Sequence, residues 1–118
     1  MMCTGVSALA EKQTETPTHD GKKVTCTMNC TFYVKANDKA TASTSWAGAK
    51  DHQIGTYLYQ CKNALDSYHL EDSYTNAKTA NVSASASSVW KFKSVHKIYH
   101  MSGNKITKTL NLVTITDW

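Results

Sequence analysis

The chain has 118 residues, enough for one domain around one core. Hydrophobic residues at 41% and charged residues at 19% exclude a compositionally disordered polymer, and no apolar run approaches the roughly 20 residues that a membrane-spanning helix needs. The formal net charge is +4, and all 13 basic residues are lysines, which removes the bidentate guanidinium contacts that favour nucleic acid as a partner.

Residues 1–10 carry no charge and end in Ala8-Leu9-Ala10 before Glu11, the small-x-small pattern of a signal-peptidase site. They are expected to be the remnant of a signal peptide, and the chain to be secreted or extracellular, including the cell surface. Residues 11–22 are polar and aperiodic and hold the only proline, Pro17, so they are expected to form a flexible leader. Residues 23–118 are then expected to form a single β domain.

The texture changes at Val24. Val24, Cys26, Met28, Cys30, Phe32 and Val34 alternate with Thr25, Thr27, Asn29, Thr31, Tyr33 and Lys35. Successive strand side chains point to opposite sheet faces, so this two-residue period marks a half-buried strand. Asn37-Asp38 supplies turn chemistry, and Ala40 to Trp46 alternates again as a hairpin partner. Further strands are expected at 54–62, 79–88, 89–101 and 105–116, while 63–77 has no clear period and fits a loop, a short helix or a β-excursion.

Gly103-Asn104 tolerates the positive φ of a tight turn. A three-residue loop would set Ile98 opposite Leu110 and His96 opposite Leu112, with Trp90 towards Trp118; a two-residue loop would match Met101 with Ile106 and Tyr99 with Lys108. The first register is preferred because it gathers the large apolar groups on one face. Short strands, abundant Thr and Ser, and regular turn signals together indicate an all-β fold. A small antiparallel β-sandwich, immunoglobulin-like or related, is expected, with a small β-barrel as the alternative.

Cys26 and Cys30 would sit about 13 Å apart along one strand, beyond the roughly 7 Å reach of a disulfide. A bridge between Cys30 and Cys61 is expected instead. If cleavage follows Ala10, Cys3 leaves with the signal, and the one remaining thiol is either buried or available for an intermolecular bond, which, like an edge strand, would allow oligomers. A strand also splays Cys26 and Cys30 as metal ligands, and spreads His96 and His100 in the same way, so neither pair is expected to hold a metal. His69 beside Glu71 and Asp72 is the one acid-base candidate, and its ordinary reading is a solvated turn. No nucleophile elbow, P-loop or His-Glu-x-x-His helix is present, so no catalytic residue, cofactor or enzyme activity is expected.

Charge is the more informative signal. Between Ser73 and Thr116 the chain carries Lys78, Lys91, Lys93, Lys97, Lys105 and Lys108 and no acidic residue. Lys91, Lys93 and Lys97 share a strand face with Tyr99, opposite Trp90 and Phe92, so one sheet surface is expected to be cationic with interleaved aromatic rings. Lys91, Lys93, Lys97, Tyr99, Lys105 and Lys108 are the candidate binding residues, for an anionic surface polymer, a glycan or a protein. The ordinary use of such lysines is to solubilise the sheet and blunt its edges. Asn29-Cys30-Thr31 and Asn81-Val82-Ser83 match the N-glycosylation pattern.

The run Val89-Trp90-Lys91-Phe92-Lys93-Ser94-Val95-His96-Lys97-Ile98-Tyr99-His100, with the small size and the export-like start, resembles the small β-sandwich bacteriocins of the lactococcin type. The resemblance covers about a quarter of the chain, and the sequence departs from that family in lacking a Trp-rich N-terminal motif and in carrying cysteines. It implies an antimicrobial or toxin-like protein acting on cell envelopes. The residues themselves point to a secreted, non-catalytic binding module.

Overall fold

The computed structural model describes residues 8–33, 37–47, 52–63, 65, 67–76, 79–86, 89 and 91–117. They form an all-β fold of ten strands: β1 (Ala8–Glu15), β2 (Thr18–His19), β3 (Lys22–Lys23), β4 (Thr25–Tyr33), β5 (Asp38–Ser45), β6 (His52–Cys61), β7 (His69–Asn76), β8 (Thr79–Ala86), β9 (Lys91–Ser102) and β10 (Lys105–Asp117). Two open antiparallel sheets, ordered β1-β4-β5-β8 and β10-β9-β6-β7, give a sandwich-like arrangement rather than a closed barrel. No helix among the described residues is long and apolar enough to cross a membrane.

The alternation from Val24 becomes a buried row, with Val24, Cys26, Met28 and Cys30 facing inward. Ala40, Ala42, Thr44 and Trp46 face the same way from β5 and its C-terminal end. Against them the second sheet presents Ile54, Thr56 and Leu58 from β6, Phe92, Ser94, His96 and Ile98 from β9, and Ile115 from β10. The rings of Phe32 and Phe92 meet across the layers at 5.7 Å. Because Ala40 and Ala42 are small, the aromatic and long aliphatic groups supply most of the buried area.

Asp38 is almost fully buried at the β4–β5 turn. Its Oδ1 accepts a hydrogen bond from the Tyr33 N–H at 2.7 Å and its Oδ2 accepts one from the Val89 N–H at 2.8 Å. The residue that supplies turn chemistry in the sequence therefore also ties the chain entering β9 to the first sheet.

Two expectations differ from the structure, the flexible leader and the register of the last hairpin, while the β-excursion is the alternative realised within 63–77. The segment 11–22, expected as a flexible leader, is ordered into strand: β1 pairs with β4 from Ala8↔Tyr33 to Glu15↔Cys26, and β2 and β3 form a hairpin. Its polar composition reflects an edge strand whose described side chains are mostly exposed, so no buried face imposes a period. Residues 1–7 of the expected signal remnant lie outside the described residues. The stretch 63–77 contains strand β7 at its C-terminal end, paired with β6 through a shift between Leu58 and Tyr59.

The β9–β10 hairpin has a two-residue turn, with Ser102 opposite Lys105 and Met101 opposite Ile106, and Gly103 at φ 62°. A shift between Ile106 and Lys108 then brings Leu110 opposite Ile98, and a second, between Asn111 and Val113, sets Val113 opposite His96. The turn is that of one register and the Ile98–Leu110 pairing that of the other, while the expected His96–Leu112 pairing is lost to the second shift, because a bulge adds a residue on one strand and re-aims its side chains. Trp90 and Trp118 lie outside the described residues.

Candidate functional site

Two parts of the molecule gather chemistry-bearing side chains: the outer face of the second sheet and one end of the sandwich.

On β9 the even-numbered residues from Phe92 to Ile98 fill the interior, which leaves Lys91, Lys93, Lys97 and Tyr99 on the opposite, outer face. Tyr57 and Tyr59 of β6 share that face, since Tyr57 pairs with Val95 and Tyr59 with Lys93. The Lys93 ammonium lies 4.8 Å from the Tyr59 ring centroid and 4.2 Å from that of Tyr68, and the Lys97 ammonium lies 4.9 Å from that of Tyr57. Such cation–π contacts contribute about 0.5–1 kcal/mol each at exposed sites, and they hold otherwise flexible lysines in place.

The floor of this face is set by Gly55. The Tyr57 and Tyr99 hydroxyls are hydrogen-bonded to each other, and their rings lie across the glycine. A Cβ at Gly55 would meet Tyr99 Cε2 at 2.8 Å and Tyr57 Cε1 at 3.1 Å. Glycine is required here for close approach, not for an unusual φ.

The six expected binding residues therefore divide. Lys91, Lys93, Lys97 and Tyr99 come together. Lys108 is paired with His100 and Lys105 with Ser102, which puts both on the other side of the sheet, near the β9–β10 turn. The two-residue turn sets the side of Lys105, and the shift between Ile106 and Lys108 sets that of Lys108.

At the N-terminal end of β6, beside the β9–β10 turn, four elements converge. The Asp20-Gly21 turn, with φ 50° and 75°, closes the β2–β3 hairpin. The Lys22 ammonium donates to the Ala47 carbonyl at 2.9 Å, pinning the hairpin against the end of β5. His19 is thereby carried over Trp46, with ring centroids 5.4 Å apart. His52 opens β6 and His100 lies opposite it near the end of β9. The centroids of His52 and His100 are 4.1 Å apart, and His19 lies 5.2 Å from His100 and 6.0 Å from His52.

His52 Nε2 and His100 Nδ1 share a hydrogen bond of 2.7 Å, while the Asp20 Oδ2 stands 3.5 Å from His19 Nε2 and 3.7 Å from His52 Nε2. Burial, reinforced by His52 and His19, lowers the pKa of His100.

His96, four residues before His100, does not join this group. Its Nδ1 is 2.7 Å from Thr44 Oγ1 and its Nε2 is 2.8 Å from Ser94 Oγ, with Thr56 Oγ1 a further 2.6 Å from Thr44 Oγ1. Thr44 also donates to the Gly55 carbonyl at 3.3 Å. The contacts are all used once when Nδ1–H and the Thr56 hydroxyl donate to Thr44 and the Ser94 hydroxyl donates to Nε2. Burial lowers the His96 pKa to about 4, which keeps the ring neutral. The contacts of Thr44 with His96 and Thr56 are fully enclosed and run from β5 to β9 and β6, so they tie the two sheets together inside the core.

The remaining candidates lie apart. His69 and Glu71 are exposed on edge strand β7. The expected Cys30–Cys61 bridge is not formed: the cysteines at 26, 30 and 61 are buried thiols. Cys30 belongs to the core cluster, whereas Cys61 stands outside it at an odd position of β6, on the parity of Tyr57 and Tyr59. The two sulfurs thus project from different faces. The Cys61 thiol is 3.1 Å from the Asn63 carbonyl.

No protein family, curated protein or solved structure matches the chain. The functional reading therefore rests on the geometry.

Sequence reasoning missed His19 and His52 because their meeting with His100 is purely tertiary. One local signal was available: Asp20-Gly21, a strong mark of a tight hairpin, lies beside His19.

Proposed function

We propose that the protein is a secreted, non-catalytic β-sandwich module that binds an anionic glycan or polymer at a cell surface through the outer face of its second sheet. One observation carries this reading: Lys91, Lys93 and Lys97 stand on one face of β9, two of them seated on the rings of Tyr57, Tyr59 and Tyr68. Alternate strand positions lie about 7 Å apart, so the lysines form a short cationic ladder. Ammonium groups held over aromatic rings lose less freedom on meeting an anion than unsupported lysines do. A pyranose ring can stack on the same tyrosines while its carboxylate or sulfate meets the ammoniums.

The test is retention on immobilised sulfated or uronic-acid polysaccharide against neutral dextran across a salt series. Replacing Lys91, Lys93 and Lys97 together with Gln should weaken binding at least tenfold and flatten its salt dependence. Replacing Lys105 and Lys108 should have little effect. Equal losses from the two sets, or unchanged binding in the triple variant, would refute the assignment.

A further inference from the structure

We infer that His19, His52 and His100 form a binding site for a borderline divalent transition metal, Zn²⁺ or Cu²⁺, at the end of the sandwich capped by the β2–β3 hairpin. One ring nitrogen from each of the three residues lies within 4.8 Å of the others. In a tetrahedral site with metal–nitrogen bonds of 2.0–2.1 Å, neighbouring donor atoms stand about 3.3 Å apart and imidazole centroids roughly 5 Å apart. The separations here bracket those values: 2.7 Å between His52 and His100 nitrogens, 3.5 and 3.7 Å from Asp20 Oδ2 to His19 and His52, and centroids at 4.1, 5.2 and 6.0 Å. Opening the His52–His100 pair by under about 1 Å and closing His19 onto it by up to about 1.5 Å meets the geometry.

The hydrogen bonding points the same way. His19 Nε2, His52 Nδ1 and His100 Nε2 are each shielded from solvent and lack a hydrogen-bond partner. A buried polar atom left unsatisfied costs about 1–3 kcal/mol; of the three, His19 Nε2 is itself one of the donors in the distances above, so a metal bound there would satisfy it. Neutral imidazoles are the donors that Zn²⁺ and Cu²⁺ favour. Trp46 packs against His19 at 5.4 Å and His52 at 5.2 Å, forming an apolar wall. Asp20, its side chain 58% exposed, stands at the mouth as a negative charge and an available fourth donor. The ligands come from three elements, so binding would cross-link the β2–β3 hairpin to β6 and β9.

The full chain, stripped with chelator and checked by circular dichroism, is titrated with Zn²⁺ by calorimetry and with Cu²⁺ by tryptophan fluorescence. One equivalent should bind. His19→Ala, a change on the surface hairpin that leaves the core intact, should weaken binding at least tenfold, and Asp20→Asn, which keeps a residue suited to the left-handed turn, should weaken it less. Trp46→Phe should keep the Zn²⁺ heat but lose most of the Cu²⁺ quenching, and His69→Ala should change neither. Co²⁺ in the same site should give the visible bands of a tetrahedral ion. Absence of binding, or binding that His19→Ala leaves unchanged while the variant remains folded, would overturn the site.

Discussion

His96 shows how one residue can set a dependence on pH. The unfolded chain takes up a proton near pH 6.5, whereas the folded ring, held neutral by burial, does so only near pH 4. Between those values the unfolded state binds more protons, so stability is complete above about pH 6.5 and falls as the pH drops. The loss should reach about 3 kcal/mol by pH 4. Urea denaturation at pH 7 and pH 4.5, with His96→Gln alongside, checks this: the variant should be less stable at pH 7 and lose less on acidification. Gly55 is the second decisive residue. Gly55→Ala must displace the Tyr99 ring, and we expect a cost of about 1–3 kcal/mol in thermal or urea unfolding together with weaker polyanion binding, since the tyrosine floor moves. A neutral result on both readouts would show that the rings shift without consequence.

At the scale of elements, legibility follows burial. Strand β4 could be read because it runs between β1 and β5 with one face in the core, so every second residue from Val24 to Cys30 had to be apolar. The parity that put Lys91, Lys93, Lys97 and Tyr99 on one face of β9 was legible for the same reason. β1 was not: as an edge strand it buries little, and Glu11, Lys12 and Glu15 read as leader although eight residues pair with β4. The shifts in β10 leave no mark in composition, yet the first of them decides that Lys108 parts from the other lysines, as Lys105 does at the turn itself. Parity governs the cysteines too. Cys26 faces the core and burial, with Glu15 nearby, pushes its thiol up to about 12, so native protein should resist alkylation at Cys26 and react only on unfolding. Reductant should leave the melting temperature unchanged, because Cys30 and Cys61 project from different faces; a drop on reduction would contradict that arrangement.

For the molecule as a whole, the two faces of the second sheet carry two kinds of chemistry. The outer face of the second sheet carries lysines on tyrosine rings, while the end closed by the β2–β3 hairpin gathers His19, His52 and His100 around Trp46. The sequence shows the first because a strand lays its members at fixed intervals. It hides the second because residues 19, 52 and 100 meet only once both sheets are stacked. The lysine face is the central claim, and an amide NMR titration with a sulfated oligosaccharide tests it most directly. The largest shifts should fall on Tyr57, Tyr59, Lys91, Lys93, Lys97 and Tyr99, with the Lys105–Lys108 turn and strands β4 and β5 unmoved. Shifts centred on that turn or on the first sheet, or none on β9, would contradict it.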